Sequence, residues 1–281
     1  MLMDNYSKNK FVKTIAITSG KGGVGKTNIT ANLAMEISKK GFNVMILDAD
    51  LGLSNIDILF QITPKYNLQH VLNGQMNLQD IVVEGPNGIK ILPASSGVQE
   101  LTALNEFQRL KLLEGFDSYN VDIDYFLIDT AAGISENVAF FCVAAQEIVV
   151  VTTPEPTSLT DAYALIKVLF TKYQEKEFRV LVNLAKNPEE AFGVFKNLSK
   201  VAERFLSISL DYIGYIPFDN SLKKAVKAQK PVVDIFPDSI ASKQFSIIAD
   251  RFLNNKNTIK GSLQFFIGNL LSVNSVTLQK T

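Results

Sequence analysis

The sequence feature that most constrains the fold is a glycine-rich loop near the amino terminus. Residues 20–27 read Gly-Lys-Gly-Gly-Val-Gly-Lys-Thr, directly after the run Ile-Ala-Ile-Thr-Ser and before an amphipathic segment. A strand, the pattern G-x-x-x-x-G-K-[ST] and a helix together form a phosphate-binding loop, whose backbone N–H groups point at phosphate oxygens. The alternative, a glycine-rich turn that binds no ligand, does not account for the lysine and the hydroxyl. The expected nucleotide contacts are Gly20, Lys21, Gly22, Gly23, Val24, Gly25, Lys26, Thr27 and Asn28.

Short β-rich runs alternate with longer amphipathic segments along the rest of the chain, which is typical of a parallel sheet with crossover helices. We therefore predict an α/β fold: one P-loop NTPase domain over residues 12–253, with a mostly parallel, doubly wound sheet flanked by helices. Residues 1–11 are predicted to be a flexible tail, and residues 254–281 a linker and an amphipathic helix. The predicted strands are 14–18, 43–47, 89–92, 125–128, 147–152, 179–183 and 210–216. The predicted helices are 26–40, 134–145, 158–172, 188–205, 221–228 and 239–253.

Aspartates follow two of these predicted strands. Asp48 and Asp50 end the second strand, and Asp129 ends the apolar run Tyr-Phe-Leu-Ile. Ligands of doubly wound sheets bind at the carboxyl ends of the strands, so these carboxylates are expected beside the phosphates. Asp129 has the position of a Walker B aspartate that reaches Mg²⁺ through water, and the Thr27 hydroxyl is expected on the same ion. The alternative for an aspartate such as Asp50 is a cap of the next turn.

The loop carries a second lysine, Lys21, where an ordinary phosphate loop accepts any residue; taken alone, it could be a solvated charge. The run from Lys21 to Thr27 resembles the deviant Walker A motif of the MinD/ParA family, and the resemblance extends over roughly residues 12–253. Residues 48–57 are similar to the FlhG and MinD members rather than to plasmid-partition ParA proteins.

The resemblance implies an ATPase that needs Mg²⁺ and forms an ATP-bound sandwich dimer. Lys21 would then cross the dimer interface to the partner's nucleotide, Asp48 would join the Mg²⁺ shell, and Asp50 would orient the attacking water. Lys21, Lys26 and Asp50 are thus the expected catalytic residues. Turnover is expected to be slow until a partner completes the site, as in small GTPases.

The resemblance also implies a base site and a dimer face. Asn183, which ends a strand, and the run Pro217, Phe218 and Asp219 are expected to contact adenine; turn chemistry is the alternative for both, because Asn and Pro-x-Asp are common in turns. Glu155 and Asp161 are expected at the homodimer face, or else are ordinary acids at the start of a helix.

The carboxyl-terminal segment differs in charge from the rest of the chain. Residues 251–281 contain Arg251, Lys256, Lys260 and Lys280 and no acid, so they carry +4, and residues 1–250 carry −4. Apolar residues at helical spacing predict an amphipathic helix that binds the inner membrane surface. They are Leu263, Phe266, Ile267, Leu270 and Leu271. Alternatively the helix folds back onto the domain, and it could also dock there and be released by dimerisation.

Composition excludes several other classes. The single cysteine, Cys142, and the single histidine, His70, rule out a paired-cysteine cluster carrier and a histidine metal site, and favour a reducing cytoplasm. The longest apolar runs fall short of the ~20 residues of a spanning helix. Net charge is zero, and the C-terminal helices show no basic stripe beyond Lys223, Lys224, Lys227 and Lys230, which could be a solvated face, so no sequence-specific nucleic-acid binding is expected.

The expected function is an ATP-driven switch, cytoplasmic and reversibly peripheral to the membrane, that controls flagellum number or placement. An FlhF-type GTPase and flagellar switch or C-ring proteins are the partners that the resemblance implies. Residues 1–10 contain Met-Asp-Asn but lack the Asp-Gln-Ala motif common in FlhG proteins. The alternatives are a MinD-like division-site ATPase and a ParA-like module that binds the nucleoid.

Overall fold

The computed structural model describes residues 11–50, 55–94, 104–119, 122–254 and 265–266. An eight-stranded sheet runs through this part of the chain, in the order β3-β4-β2-β5-β1-β6-β7-β8. Every described strand pair is parallel except β3–β4, where a two-residue strand runs antiparallel at the edge. The strands are β1 Lys13–Ser19, β2 Val44–Ala49, β3 Val83–Glu84, β4 Lys90–Leu92, β5 Tyr125–Ala132, β6 Glu147–Thr152, β7 Phe178–Ala185 and β8 Leu210–Pro217.

Helices cover both faces of the sheet. Among the described residues they are α1 Lys26–Lys39, α2 Ile56–Leu59, α3 Leu68–Leu72, α4 Glu106–Asp117, α5 Glu136–Val143, α6 Pro156–Tyr173, α7 Pro188–Leu206, α8 Asn220–Lys227, α9 Val232–Ile235 and α10 Ile240–Leu253. Two 3-10 turns, Leu78–Ile81 and Pro86–Gly88, flank β3. The predicted mostly parallel, doubly wound sheet is confirmed.

The central strands are buried on both faces because alternate residues enter opposite core layers. In β1, Ile15 and Ile17 pack in one layer with α1 and α10, whereas Ala16 packs in the other with α5. All eight residues from Val12 to Ser19 are buried. This double coverage explains why the strands read as continuous apolar runs.

Sequence reasoning missed β3 and the helices α2, α3, α4 and α9. α4 has apolar residues on more than one side: Leu112 and Phe116 are buried, but Phe107 and Leu110 are exposed. One signal was available, since Asn105 and Gln108 form a capping box at its start. The predicted helix 134–145 begins instead at Glu136, because the Ser135 hydroxyl caps it by accepting from the Val138 amide.

Beyond α10, Phe265 and Phe266 form a turn that is packed into the core. The Phe265 amide donates to the Ala144 carbonyl at 3.2 Å, and both rings contact Phe116 and Phe126. Phe266 is 1% exposed and has a left-handed φ of 58°, so it is not helical here and its ring faces protein rather than solvent. The other predicted membrane residues, Leu263, Ile267, Leu270 and Leu271, lie outside the described residues.

Candidate nucleotide-binding site

The phosphate loop connects β1 to α1 at the carboxyl edge of the sheet. Gly25 is the N-cap of α1 with a φ of 94°, a left-handed conformation that favours glycine. The loop borders a cavity of 580 Å³. The residues that line it are Gly22, Gly23, Gly25, Lys26, Thr27, Asn28, Asp50, Asn55, Ile58, Leu59, Ala132, Val226 and Gln229.

Lys26 lies at the base of this cavity and is only 9% exposed. Its Nζ donates to the Ser19 hydroxyl at 3.0 Å, and that hydroxyl donates to the Lys21 carbonyl at 2.7 Å. Burial lowers the pKa of Lys26, while Asp129 and Asp50 oppose that effect. A cation held in this way is suited to bind phosphate oxygens. The supporting role of Ser19 was missed, because a serine before the loop belongs to no motif that we used.

Asp48 and Asp129 lie side by side because their strands pair in register. Asp48 of β2 is the direct partner of Asp129 in β5, and each residue is 1% exposed. Burial, followed by the neighbouring Asp48, raises the pKa of Asp129 to about 8, although the Thr27 hydroxyl and Lys26 act in the opposite direction. Two buried carboxylates beside a hydroxyl suit a hard divalent cation such as Mg²⁺, which takes few protein ligands and keeps several waters.

That donor set is small. Across the ranges the structure describes, no group of three or more His, Cys, Asp or Glu side chains could hold a metal ion. Thr30 adds a contact that sequence reasoning missed, since its hydroxyl donates to Asp129 Oδ1 at 3.4 Å. The site therefore fits a cation shared with a ligand rather than one enclosed by protein.

Asp48 also organises the loop that follows β2. Its Oδ1 accepts from the Asp50 amide at 3.2 Å, and its Oδ2 accepts from the amides of Asn55 and Ile56 at 3.0 and 3.2 Å. Capping a turn was the alternative for these aspartates, and Asp48 has that structural contact here. Asp50 itself lines the cavity.

The two lysines of the loop have different surroundings. Lys21 is 35% exposed, and its Nζ forms an ion pair with Glu155 at 2.5 Å and donates to the Thr157 hydroxyl at 2.9 Å. Glu155 is the N-cap of α6. Lys21 thus lies on the outer side of the loop beside the predicted dimer residues, separated from the buried Lys26.

The predicted base residues lie outside the lining of the cavity. Asn183 is 3% exposed; its Nδ2 donates to the Val24 carbonyl at 2.7 Å, and its Oδ1 accepts from the Leu184 amide at 2.9 Å. Asn183 is thus bound to the back of the phosphate loop. Phe218 is 51% exposed, with the ammonium of Lys223 4.2 Å from its ring centre.

Asp219 is engaged by two helices. Its carboxylate accepts from the Ser221 amide of α8 at 2.7 Å and from the Ala241 amide of α10 at 3.0 Å. Burial alone would raise the pKa of Asp219, but these hydrogen bonds outweigh it and hold the pKa below its ordinary value. Its contacts in this structure are those of a helix cap, the turn chemistry that was the alternative for this run.

One wall of the cavity comes from elements without a motif. Ile58 of α2 and Val226 and Gln229 at the end of α8 face the phosphate loop from the opposite side. The Gln61 side chain donates to the Ala228 carbonyl at 3.1 Å and joins the two elements. No residue pattern in the sequence predicted that these segments meet.

Comparison with known proteins agrees with this geometry. The family model described as "ParA: NUBPL iron-transfer P-loop NTPase" matches residues 10–253. The chain belongs to the ParA/MinD family of P-loop NTPases. It is 45% identical over 263 residues to the Pseudomonas aeruginosa protein named antiactivator FleN, a match that covers 92% of this chain and 94% of the relative. Like other members of the ParA/MinD family, the protein is an ATPase.

Two further relatives place the chain within the family. It is 36% identical to the flagellum site-determining protein YlxH of Helicobacter pylori, over 91% of this chain and 85% of the relative. The septum site-determining protein MinD of Pyrococcus horikoshii, solved with Mg-ADP, superposes with a TM-score of 0.72 at 25% identity, over 87% of this chain and 97% of that one. A MinD-like fold is therefore shown, and the roles of single residues stay predictions.

None of the described helices has both the length and the apolar character required to span a bilayer. Cys142, the one cysteine of the chain, is fully buried in α5.

Proposed function

We propose that this ATPase is a molecular switch that dimerises with ATP, attaches reversibly to the inner membrane surface and controls the number or placement of flagella. The flagellar part is supported by the names of the relatives FleN and YlxH. The switch part is supported by one observation above all: the second lysine of the loop lies outside the phosphate cavity.

Lys21 has a geometry that suits a contact between subunits. Its ammonium is paired with Glu155 of the same chain, and both side chains are partly exposed. An exposed ion pair contributes little to stability, about 0–1 kcal/mol, so exchanging it for a contact with phosphate costs little. In the proposed dimer, Lys21 leaves Glu155 and binds the nucleotide of the partner, while Glu155 and Asp161 of α6 lie at the dimer face.

The buried residues of the loop carry the chemistry within one subunit. Lys26 binds the β- and γ-phosphates, and Asp50 orients the attacking water. Thr27, Asp48 and Asp129 would hold Mg²⁺, which when bound supplies positive charge to the β- and γ-phosphate oxygens. Because Asp48 accepts from three amides of the loop after β2, occupation of this site also changes the contacts of that loop.

The carboxyl-terminal segment is the proposed membrane element. Phe265 and Phe266 occupy the core in the structure, which is the docked arrangement. Two such segments on one dimer bind a membrane more tightly than one, because the second contact forms at the raised effective concentration set by the first. ATP, through dimerisation, then determines membrane attachment. An FlhF-type GTPase and flagellar switch or C-ring proteins are the proposed partners.

The alternative functions have weaker support. A MinD-like role in septum placement is the nearest, given the similar fold. Iron transfer, which the description of the family model mentions, needs accessible cysteines, and the only cysteine of the chain is buried. A nucleoid-binding module would need more basic surface than the lysines of α8.

The proposed switch is tested by replacing each of the two loop lysines individually. Lys21→Ala is expected to keep ATP affinity within about threefold, well below the tenfold change that corresponds to ~1.4 kcal/mol, because the Lys21 ammonium contacts no atom of the phosphate cavity. The same variant is expected to lose the ATP-dependent dimer. Lys26→Ala is expected to abolish nucleotide binding. Calorimetry measures affinity, and light scattering with ATP or ADP measures mass. A Lys21→Ala protein that dimerises with ATP as well as the wild type contradicts the proposal.

A further inference from the structure

The first glycine of the phosphate loop, Gly20, lies directly against the backbone of α6. A methyl group at its Cα would overlap the carbonyl group of Asp161 and would lie 2.9 Å from the amide nitrogen of Ala162. These are main-chain atoms within a helix, so no change of side-chain rotamer makes room. Gly20 is absent from the described glycines with positive φ, so its backbone conformation does not require glycine. Glycine is required here because α6 approaches so closely.

The other glycines of the loop have different constraints. A Cβ at Gly22 would find its nearest neighbour at 3.9 Å, which is ordinary van der Waals contact. Gly23 and Gly25 have φ values of 76° and 94°, and a Cβ at Gly25 would also lie 2.5 Å from the Asn183 amide. Among these four glycines, Gly20 is the one whose Cα packs on another helix.

α6 is held at three successive points of its first turns. Its N-cap Glu155 and the hydroxyl of Thr157 bind the ammonium of Lys21. The buried Ser158 accepts from the Thr153 amide at 3.1 Å and lies 3.1 Å from the Thr152 hydroxyl, which fixes the helix to the end of β6. The Asp161–Ala162 peptide then rests on Gly20. The phosphate loop therefore contacts α6 on two consecutive turns.

We propose that Gly20 is a positioning residue that makes the phosphate loop and α6 move as one body. The inference rests on the proposed ATP-dependent dimer, because Glu155 and Asp161, which are assigned to the dimer face, lie at the start of α6. Closely packed main chains transmit displacement, since even a small gap loses the attraction and an overlap is strongly repulsive. Phosphate binding that shifts the loop thereby shifts α6, so the position of the proposed dimer face depends on the bound nucleotide.

The experiment compares Gly20→Ala with the wild type, using a fluorophore on α6. Thr160 is exposed on this helix, so Thr160→Cys provides a labelling site, while Cys142 is fully buried. The probe is read in dilute, monomeric protein during titration with ADP and with ATP. We expect a nucleotide-dependent signal in the parent protein. At saturating nucleotide, Gly20→Ala should lose most of the probe response, and it should weaken the ATP-dependent dimer by at least about tenfold, ~1.4 kcal/mol, more than it weakens nucleotide binding.

A matched control is Gly193→Ala in α7. A Cβ there meets nothing within 4 Å, and its φ is not positive, so affinity, probe response and dimerisation should all remain those of the parent. Should Gly20→Ala fail to fold, Thr157→Val tests the same coupling from the helix side, because it removes the hydroxyl of α6 that accepts from the loop lysine. It is expected to reduce dimerisation while nucleotide affinity is retained.

Three results overturn the inference: a Gly20→Ala protein with the full probe response, a Gly20→Ala protein that loses nucleotide affinity in proportion to dimerisation, or a parent protein whose probe ignores nucleotide. The probe response is measured in monomeric protein and does not depend on dimerisation. A parent that responds to nucleotide but never dimerises would therefore refute the proposed switch and leave the coupling of loop and helix standing.

Discussion

Phe265→Ala tests the docked state of the carboxyl-terminal segment. The Phe265 ring is fully buried, with its centre 4.8 Å from that of Phe116 and 5.7 Å from that of Phe126. It does not belong to the predicted lipid-facing set, whereas its neighbour Phe266 does. Removing the Phe265 ring should therefore weaken docking on the domain and leave the membrane-binding face intact.

The expected magnitude follows from burial and ordering. Burying one Phe side chain contributes about 1.5–3 kcal/mol, and an edge-to-face ring pair adds about 0.5–1.5 kcal/mol. The backbone is ordered equally in both variants and cancels, whereas ordering the ring costs about 1 kcal/mol that alanine does not have. We expect Phe265→Ala to weaken docking by about 1–3 kcal/mol, or roughly 5–150-fold. The cavity cost of about 3–5 kcal/mol known for closed cores is not reached, because the segment can leave the core instead.

The assay is co-sedimentation with vesicles that contain phosphatidylglycerol, in ADP and in ATP. Phe265→Ala should bind more than the wild type in ADP and approach the wild type in ATP. Phe266→Ala, which loses docking and a lipid contact together, should not exceed the wild type in either state. Phe107→Ala is the matched control, since that ring is 73% exposed on α4. Truncation after Leu253 should remove binding and spare dimerisation.

The effect on stability is also limited. A loss of about 1–3 kcal/mol lowers the melting temperature of a domain of this size by roughly 2–12 °C, at about 2–4 °C per kcal/mol. Unchanged vesicle binding of Phe265→Ala in ADP would show that the segment is not held on the domain by this ring. Unfolding that shows the full cost of a closed core would contradict docking equally, since Phe265 would then be an ordinary core residue.

Two further predictions concern the carboxylates. Asp50→Ala should bind Mg·ATP and lower single-turnover hydrolysis by at least about a hundredfold, because Asp50 lines the cavity and its proposed role is to position water rather than to hold phosphate; undiminished hydrolysis would remove it from the mechanism. Asp129 has a folded pKa of about 8, above its ordinary 3.8, so the folded nucleotide-free protein binds a proton that the unfolded chain has released across pH 4–8. The free energy of unfolding of the protein in EDTA should therefore fall as pH rises through this window, by up to about 1.4 kcal/mol per pH unit, and level off above pH 8. Denaturant unfolding measures this slope, and Asp129→Asn should lack it.

Much of the fold is predictable because the central strands are apolar on both faces. The runs in β1, β5 and β6 admit few other structures in a chain with a phosphate loop and crossover helices. β3 escaped prediction because two residues carry no periodicity. α4 escaped because its exposed Phe107 and Leu110 obscure the buried side marked by Leu112 and Phe116.

The candidate site likewise has residues that the sequence predicts and residues that it does not. Residues next to one another in the loop, from Gly20 to Thr27, could be assigned from sequence alone. The adjacency of Asp48 and Asp129 depends on strand order, which places β2 beside β5 although about 80 residues separate them in the chain. Val226 of α8 and Gln229, which follows that helix, line the cavity although neither belongs to a motif. Asp219 caps α8 and also accepts from α10, contacts that agree with the turn-chemistry alternative, while its base contact stays a prediction.

Three groups assigned to ligands already have protein partners. Lys21 is paired with Glu155, Asn183 donates to the Val24 carbonyl, and Asp48 accepts amides of the loop after β2. A ligand that binds through these groups must replace one set of polar contacts by another, so the net gain per contact is only a fraction of its gross strength. The exchange changes which parts of the chain are joined to each other. In the proposed switch, this exchange would convert nucleotide binding into a change of conformation more than into high affinity.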